Sequence, residues 1–575
     1  MITNREIATM LTEMAALLEM QGVAFKPAAY EKAAMNIESL DREISEIYKE
    51  GGMKALEAIP GVGKGIASHC EEMVKTGSFK EYRSLKKKIP VNISELLAVE
   101  GIGPKMINVL WQKLHIKNLA QLEKAARMGK IGALSHFGLK SQQKILQGIE
   151  FLKTSGGRRV LGFMLPEICS IEKMVQSFDE VEHTVVAGSV RRRRETIGYI
   201  DILAVSSKPK KVMARFIALP FIAHVYGKGL TKTNVKLKNG LDADLRVVPK
   251  ESFGAALNYF TGSKDHNIAL RDIAIKRGMK LNEYGLYKGK KIIAGKTEEE
   301  LYRALGFKQV PPPETRENTG EIQAAMAGKL PKLIGYDDVR GDLQVQTTWT
   351  DGENSIEEMA HAAQKMGLEY IAITDHTRSL AMTGGADEKK LLKQVAEIRK
   401  IQQKFEKFRI LTGAEVNIAK DGTLDINDET LAQLDVVGAA VHSYFNLTRA
   451  DQTKRIIRAI ENPNVDIIFH LTTRMINKRK PIDVDVDAVI AAAKRTATVL
   501  EIDAFPDRLD IKDEYIRKCV ESGVKMSIDS DAHSVQHYQY LEIGIAQARR
   551  GWATREDIIN TYPVEKMLRL LKDAK

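Results

Sequence analysis

The chain is short of several things, and each shortage excludes something. Among its 575 residues there are only three cysteines, Cys70, Cys169 and Cys519. They lie far apart and form neither a metal-ligand spacing nor a disulfide framework, so a reducing, cytoplasmic setting is expected. No apolar run approaches the ~20 residues of a membrane-spanning helix, and no membrane partner is expected. Arg5, Glu6, Glu13 and Glu19 break the first twenty residues in a helical pattern, which does not read as a secretory leader. Negative charge is also in deficit, with 75 acidic against 87 basic residues and a net charge of +12. That balance favours a polyanionic partner, although a basic but otherwise ordinary enzyme has the same signature.

What is present suffices for roughly three or four domains at ~150 residues each. Residues 1–90 read as short helices. Ile7, Met10, Leu11, Met14, Leu17 and Leu18 recur at helical spacing and predict a core stripe. Then come Ile59-Pro60-Gly61-Val62-Gly63-Lys64 and, about forty residues later, Val99-Glu100-Gly101-Ile102-Gly103-Pro104-Lys105. Apolar-x-Gly-apolar-Gly between two helices is the helix-hairpin-helix pattern. Its glycines make a tight turn, and the N–H groups opening the next helix can hold a DNA phosphate. Two hairpins with no ligand are the blander alternative. The second copy falls within 91–154.

The most informative stretch is 188–203, read with Asp242–Val248. Gly188-Ser189 leads into Arg191 to Arg194, and an apolar strand carrying Asp201 follows. A glycine-led turn lets backbone N–H groups approach phosphate, and arginine forks bind phosphate oxygens bidentately. The second strand brings Asp242 and Asp244, which alternation places on one face. Carboxylates from neighbouring strands beside such a turn suit hard cations held against a triphosphate. Residues 155–315 form this region and its neighbour, Pro311 to Pro313 open an extended linker to 336, and a new domain begins at 337. From Gly341 short apolar strands alternate with helices, the rhythm of a βα barrel. Strand ends carry Asp342, Asp351, Asp375, His376, Glu415, His442, His470, Asp531 and His533. In a barrel these converge at one face, with the donor chemistry of a metal centre.

Gly188-Ser189-x-Arg-Arg, the Asp201 strand, Asp244 and Tyr259-Phe260-Thr261-Gly262-Ser263 together resemble the palm of family X DNA polymerases. The C-terminal motifs resemble the PHP (polymerase and histidinol phosphatase) phosphoesterase domain that often follows it in bacteria. The resemblance implies a multidomain α/β chain with a helical hairpin region, an α+β nucleotidyltransferase palm and a PHP-type βα barrel. Asp201 and Asp244 would be catalytic metal ligands. Gly188, Ser189, Arg192, Tyr259, Phe260, Thr261, Gly262 and Asn267 would bind the nucleotide. Tyr30, Lys32, Gly61, Gly63, Lys64, Gly101, Gly103 and Lys105 would meet DNA. Asp351, His376, Glu415, His442, His470, Asp531 and His533 would bind metal in the barrel. The implied function is gap filling in DNA repair from deoxynucleoside triphosphates on gapped or nicked DNA, by a monomer. It would use Mg²⁺ or Mn²⁺ in the palm, and a 3′–5′ exonuclease would use Mn²⁺ or Zn²⁺ in the barrel.

Three positions depart from the pattern. Tyr199 stands where the family has the first Asp of Asp-x-Asp, and Asp242 is the carboxylate offered in partial compensation. Gln344 and Gln346 replace His-x-His at the opening PHP motif. His69 occupies the place of a lyase lysine, and an imidazole cannot form that Schiff base. A DNA-binding scaffold, or a phosphoesterase with an impaired polymerase site, therefore stays open.

Overall fold

The computed structural model describes every residue except 1, 3, 39, 41–42, 100–101, 136, 156–157 and 573–575. It divides into two compact units, Met1–Arg159 with Ile476–Arg479 and Val160–Met475 with Lys480–Lys575. The palm and barrel, expected as separate domains, thus share one unit.

The first unit is helical. In α1 (Asn4–Met20) the stripe of Ile7, Leu11, Met14, Leu17 and Leu18 is no more than 4% exposed. α2 (Lys26–Glu38) packs against it. Gly61, at φ +72°, turns the chain into α3 (Lys64–Thr76). The second hairpin joins Ile93–Leu97 to α4 (Pro104–Leu114), with Pro104 in the first turn, where a missing N–H costs nothing.

In the second unit, five strands form the palm: β1 (His183–Val186), β2 (Tyr199–Val205), β3 (Ile222–Lys228), β4 (Lys232–Leu237) and β5 (Asp242–Val248). Their order is β1-β2-β5-β4-β3. Only β2 and β5 run parallel. Ile200 and Ile202 are buried on one face of β2, and alternation leaves Tyr199 and Asp201 on the other. α5 (Phe253–Thr261) and α6 (Lys264–Lys276) follow.

The predicted linker is not an extended tether. Arg316 is 1% exposed and paired with Glu298, and Glu321 is fully buried against His266 Nδ1 at 2.6 Å. Buried charges persist only when paired, so these contacts pack the segment into the fold.

Seven parallel strands in sequence order make the barrel: β6 (Gly341–Val345), β7 (Tyr370–Ile373), β8 (Arg409–Asn417), β9 (Val436–Ala440), β10 (Ile467–Ile468), β11 (Val499–Asp503) and β12 (Met526–Asp529). A bridge from Val345 to Ala532 brings the first strand to the end of the last. Ile371, Val437, Leu500 and Ile528 face the helices outside. Tyr370, Leu411, Val436, Ile467 and Val499 form a second cluster, against Val564, Met567 and Leu571 of α7 (Val564–Lys572). Period-two alternation then puts Glu415 on the face of Leu411. Gly438 is needed here, since a Cβ would lie 1.8 Å from the Phe469 ring.

Candidate functional site

The palm site begins with a glycine. Gly188 has φ +62°, and a Cβ there would sit 2.2 Å from Asp201 Oδ2, so a side chain would push the turn off the carboxylate. β2 and β5 pair in register, Asp201 beside Asp244 and Tyr199 beside Asp242. Burial, then repulsion from Asp244, pushes the Asp201 carboxyl up to about 7, with Arg246, Arg192 and Lys232 only partly offsetting it. Asp244 accepts a hydrogen bond from Asn234 and lies 3.6 Å from Lys232 Nζ. Two carboxylates crowded together in this way fit a divalent cation, which would relieve their repulsion. Tyr199 is 53% exposed. Asp242 Oδ1 lies 3.4 Å from Lys236 Nζ.

The arginine run differs from expectation. Arg191 pairs with Glu298 at 2.7 Å, Arg192 with Glu317 at 3.0 Å, Arg193 with Glu542 at 2.7 Å and Arg194 with Glu317 at 3.6 Å. Four forks free for phosphate are therefore corrected to four forks each paired with a glutamate. Arg192 also donates to the Thr261 carbonyl, and a Cβ on Gly262 would meet its Nη1 at 3.0 Å. That places Thr261 and Gly262 against Arg192 beside the Gly188-Ser189 turn. Asn267 Nδ2 donates to the Tyr259 carbonyl at 2.7 Å, and Tyr259 meets Phe260 edge to face at 5.0 Å. Arg246 lies over the Phe260 ring at 4.4 Å. The expected nucleotide residues thus form a local cluster.

In the barrel, Asp351, His376 and His533 bring ligand atoms within 4.8 Å of one another, as do His376, Glu415 and His442. His376 Nε2 and His533 Nε2 each lie 3.7 Å from Asp351 Oδ2. Glu415 sits centrally, 3.3 Å from His376 Nδ1, 2.9 Å from His442 Nε2 and 2.8 Å from His470 Nε2. Burial works to raise its pKa, but His376 and His442 outweigh burial and hold the carboxyl well below its usual range. Two nitrogens are positioned by partners: His442 Nδ1 by Asn417 Oδ1 at 2.7 Å, and His533 Nδ1 by the Asp531 carbonyl at 2.8 Å. Nδ1–H facing an acceptor leaves each Nε2 lone pair for a metal. His376 Nδ1 and His442 Nε2 are buried atoms that face the same Glu415 carboxylate, close enough together to share one cation. These residues fit two ions. His470 and Asp531 adopt φ +28° and +49°. The Ile467–Phe469 alternation would carry His470 outward, and this kink turns its ring onto Glu415.

The comparisons with known proteins agree with this geometry. A helix-hairpin-helix domain model matches residues 2–79, a DNA polymerase beta thumb model 256–317 and a PHP domain model 342–560. The chain is 36% identical over 574 residues, 99% of each chain, to the DNA polymerase/3′-5′ exonuclease PolX of Bacillus subtilis. The chain belongs to the family X DNA polymerases that carry a PHP domain. A probable phosphatase of Thermoanaerobacter is 33% identical over 233 residues, 39% of this chain and 89% of that protein. DNA polymerase lambda of Rattus norvegicus is 25% identical over 54% of this chain and 56% of its own.

As in the family pattern, both hairpins end at helix starts with open N–H groups. Gly63 and Gly103 precede α3 and α4 with no side-chain cap, whereas Asn92 and Asn118 cap neighbouring helices. Lys64 and Lys105 are exposed beside them, Lys32 packs its stem near Gly61, and Gly101 lies outside the described residues. Tyr30 is a correction. Expected at DNA, it is 6% exposed, and its hydroxyl meets His69 Nδ1 at 3.0 Å, so the ring serves the core. Sequence reasoning missed Asn234, Lys232, Asn417 and Arg508. Arg508 lies five residues past Asp503, the acidic end of β11, and directly after Asp507, and that acid-base juxtaposition was the available signal.

Proposed function

We propose that this chain adds deoxynucleotides to primer ends in gapped or nicked DNA, using Mg²⁺ or Mn²⁺, and that its barrel hydrolyses phosphodiesters in the 3′–5′ direction, using Mn²⁺ or Zn²⁺. The reading is carried by the in-register pair Asp201 and Asp244 beneath the Gly188 turn. Asp201 and Asp244 would hold the palm ions, and Asp351, His376, His533, Glu415, His442 and His470 those of the barrel. When bound, such ions act as Lewis acids, neutralising phosphate charge and acidifying the attacking hydroxyl or water. The chain's own groups do the placing. Asn234 and Lys232 hold Asp244. Arg192 reaches phosphate only by leaving Glu317 or by sharing its charge. The two hairpins offer uncapped N–H groups to backbone phosphates, a sequence-independent mode whose affinity falls steeply with salt.

Primer extension on a one-nucleotide gap is the test, run beside exonuclease assays. Asp201→Asn should end extension and leave exonuclease intact, and His376→Ala should do the reverse. Loss of both activities in either variant would overturn the division of labour. Tyr199 favours a second reading, a DNA-bound nuclease with a silent palm. Exonuclease activity with no extension by the unmodified protein would select it.

A further inference from the structure

The barrel brings more inward acids than two cation positions use. Asp503 and Asp531 are 0% and 4% exposed, and neither belongs to the two ligand groups above. One guanidinium faces both. Arg508 Nε lies 3.5 Å from Asp503 Oδ2 and 3.5 Å from Asp531 Oδ2. Burial opposes its charge, but Asp531, Asp503, Asp507 and Glu415 outweigh burial and keep it charged.

This corner is also where the two glutamines stand. Ala532, next to Asp531, donates its N–H to the Gln344 carbonyl and accepts from the Gln346 N–H at 2.8 Å. Gln346 Nε2 donates to Glu415 Oε2 at 2.9 Å. Gln346 Oε1 and both amide atoms of Gln344 are buried without a partner. In the family pattern these two positions carry histidines, whose imidazoles would stand beside Glu415 and near Asp531. Here the amides are neutral and weaker ligands, and a permanent cation already faces Asp531.

We infer that Arg508 is the resident cation of this corner, so that the barrel takes two divalent ions and holds a guanidinium where a further ion would sit. The inference rests on the proposed metal centre. A guanidinium is not removed by chelators and does not deprotonate in this range. A divalent ion beside it would meet like charge between the largely buried carboxylates Asp503 and Asp531. The protein's charge balance here is therefore built in.

The test counts metal. Full-length protein is stripped with EDTA, loaded with Mn²⁺ alone, desalted and assayed for Mn per chain. Three proteins are compared: unmodified, Gln344→His with Gln346→His, and that pair with Arg508→Met. Ions held by the palm are common to all and cancel. The histidine pair should add no equivalent while Arg508 remains. The triple variant should add one, and Mn²⁺ should raise its Tm more than that of the unmodified protein. An extra equivalent in the pair alone, or none in a folded triple variant, would overturn the inference. If the triple variant does not fold, the pair alone decides: an unchanged count supports the inference and an added equivalent rejects it. Failure of the metal centre itself looks different, because His376→Ala and His442→Ala would then leave the count unchanged.

Discussion

A phenol stands where the palm would carry its third carboxylate, and a phenol is a poorer ligand than a carboxylate for a hard cation. The register places Asp242 directly beside it, on the strand that also carries Asp244. Asp242 is thus level with the missing group, one strand spacing away, about 4.8 Å. We expect Asp242→Asn to remove residual extension and Tyr199→Asp to raise it roughly 100-fold or more, the scale of one ligand in charge stabilisation. Extension unchanged in Asp242→Asn would leave that carboxylate as the partner of Lys236 and nothing more. Asp201 has its own signature. Its folded pKa, about 7, exceeds the ordinary 3.8 through burial and the Asp244 charge. The sign follows: its contribution to stability is full below about pH 4 and is lost as pH rises through 7. In EDTA, Asp201→Asn should therefore match the unmodified protein near pH 4. It should gain on the order of 2–4 kcal/mol above pH 7, at ~1.4 kcal/mol per pH unit. Denaturant melts across that range measure it, and a gain that persists at pH 4 would assign the effect to packing.

The two hairpins permit a clean separation of binding from folding at the level of a single turn. A Cβ at Gly103 meets nothing within 4 Å. Gly103→Val should therefore fold, and what it obstructs is the approach of a phosphate to the start of α4. Affinity for gapped DNA should fall about tenfold, near the ~1.5 kcal/mol of a charge-assisted hydrogen bond. Unchanged affinity in a protein with the parental melting curve would remove this turn from the DNA interface. The same turns show what could be read from residue order. Spacing gave the α1 stripe, the hairpins, and a barrel whose strand ends carry His and Asp, because helix and strand periods are local properties. Partner choice was not legible. Arg191 to Arg194 read as phosphate forks, and their glutamates come from as far as residue 542. Only the family resemblance put Tyr30 at DNA, and nothing near it in the chain announces His69 as its hydrogen-bond partner.

In the second unit, Glu195 stands just after the arginine run and accepts from Arg474 at 2.6 Å and from Gln547 at 2.8 Å. Arg474 is 5% exposed and lies four residues past His470. Glu195→Ala would remove the carboxylate from a buried guanidinium that keeps the Arg508 and Leu509 carbonyls as hydrogen-bond acceptors, at about 3 kcal/mol. It should lower stability in denaturant by that amount and reduce extension and exonuclease activity together, although it touches neither site. A loss confined to extension would mean that the contact supports the palm turn alone. The segment between palm and barrel, with Arg316 against Glu298 and Glu314 against Arg549 at 2.8 Å, has a further consequence for how such genes can be cut and rejoined. A free-standing nuclease made by starting the chain at residue 337 would inherit Arg549 without Glu314, while Arg550 would lose Glu317 and keep Asp513. The barrel is then exchanged between proteins most safely where the receiving partner supplies an acid opposite Arg549 or that arginine is replaced in the same step.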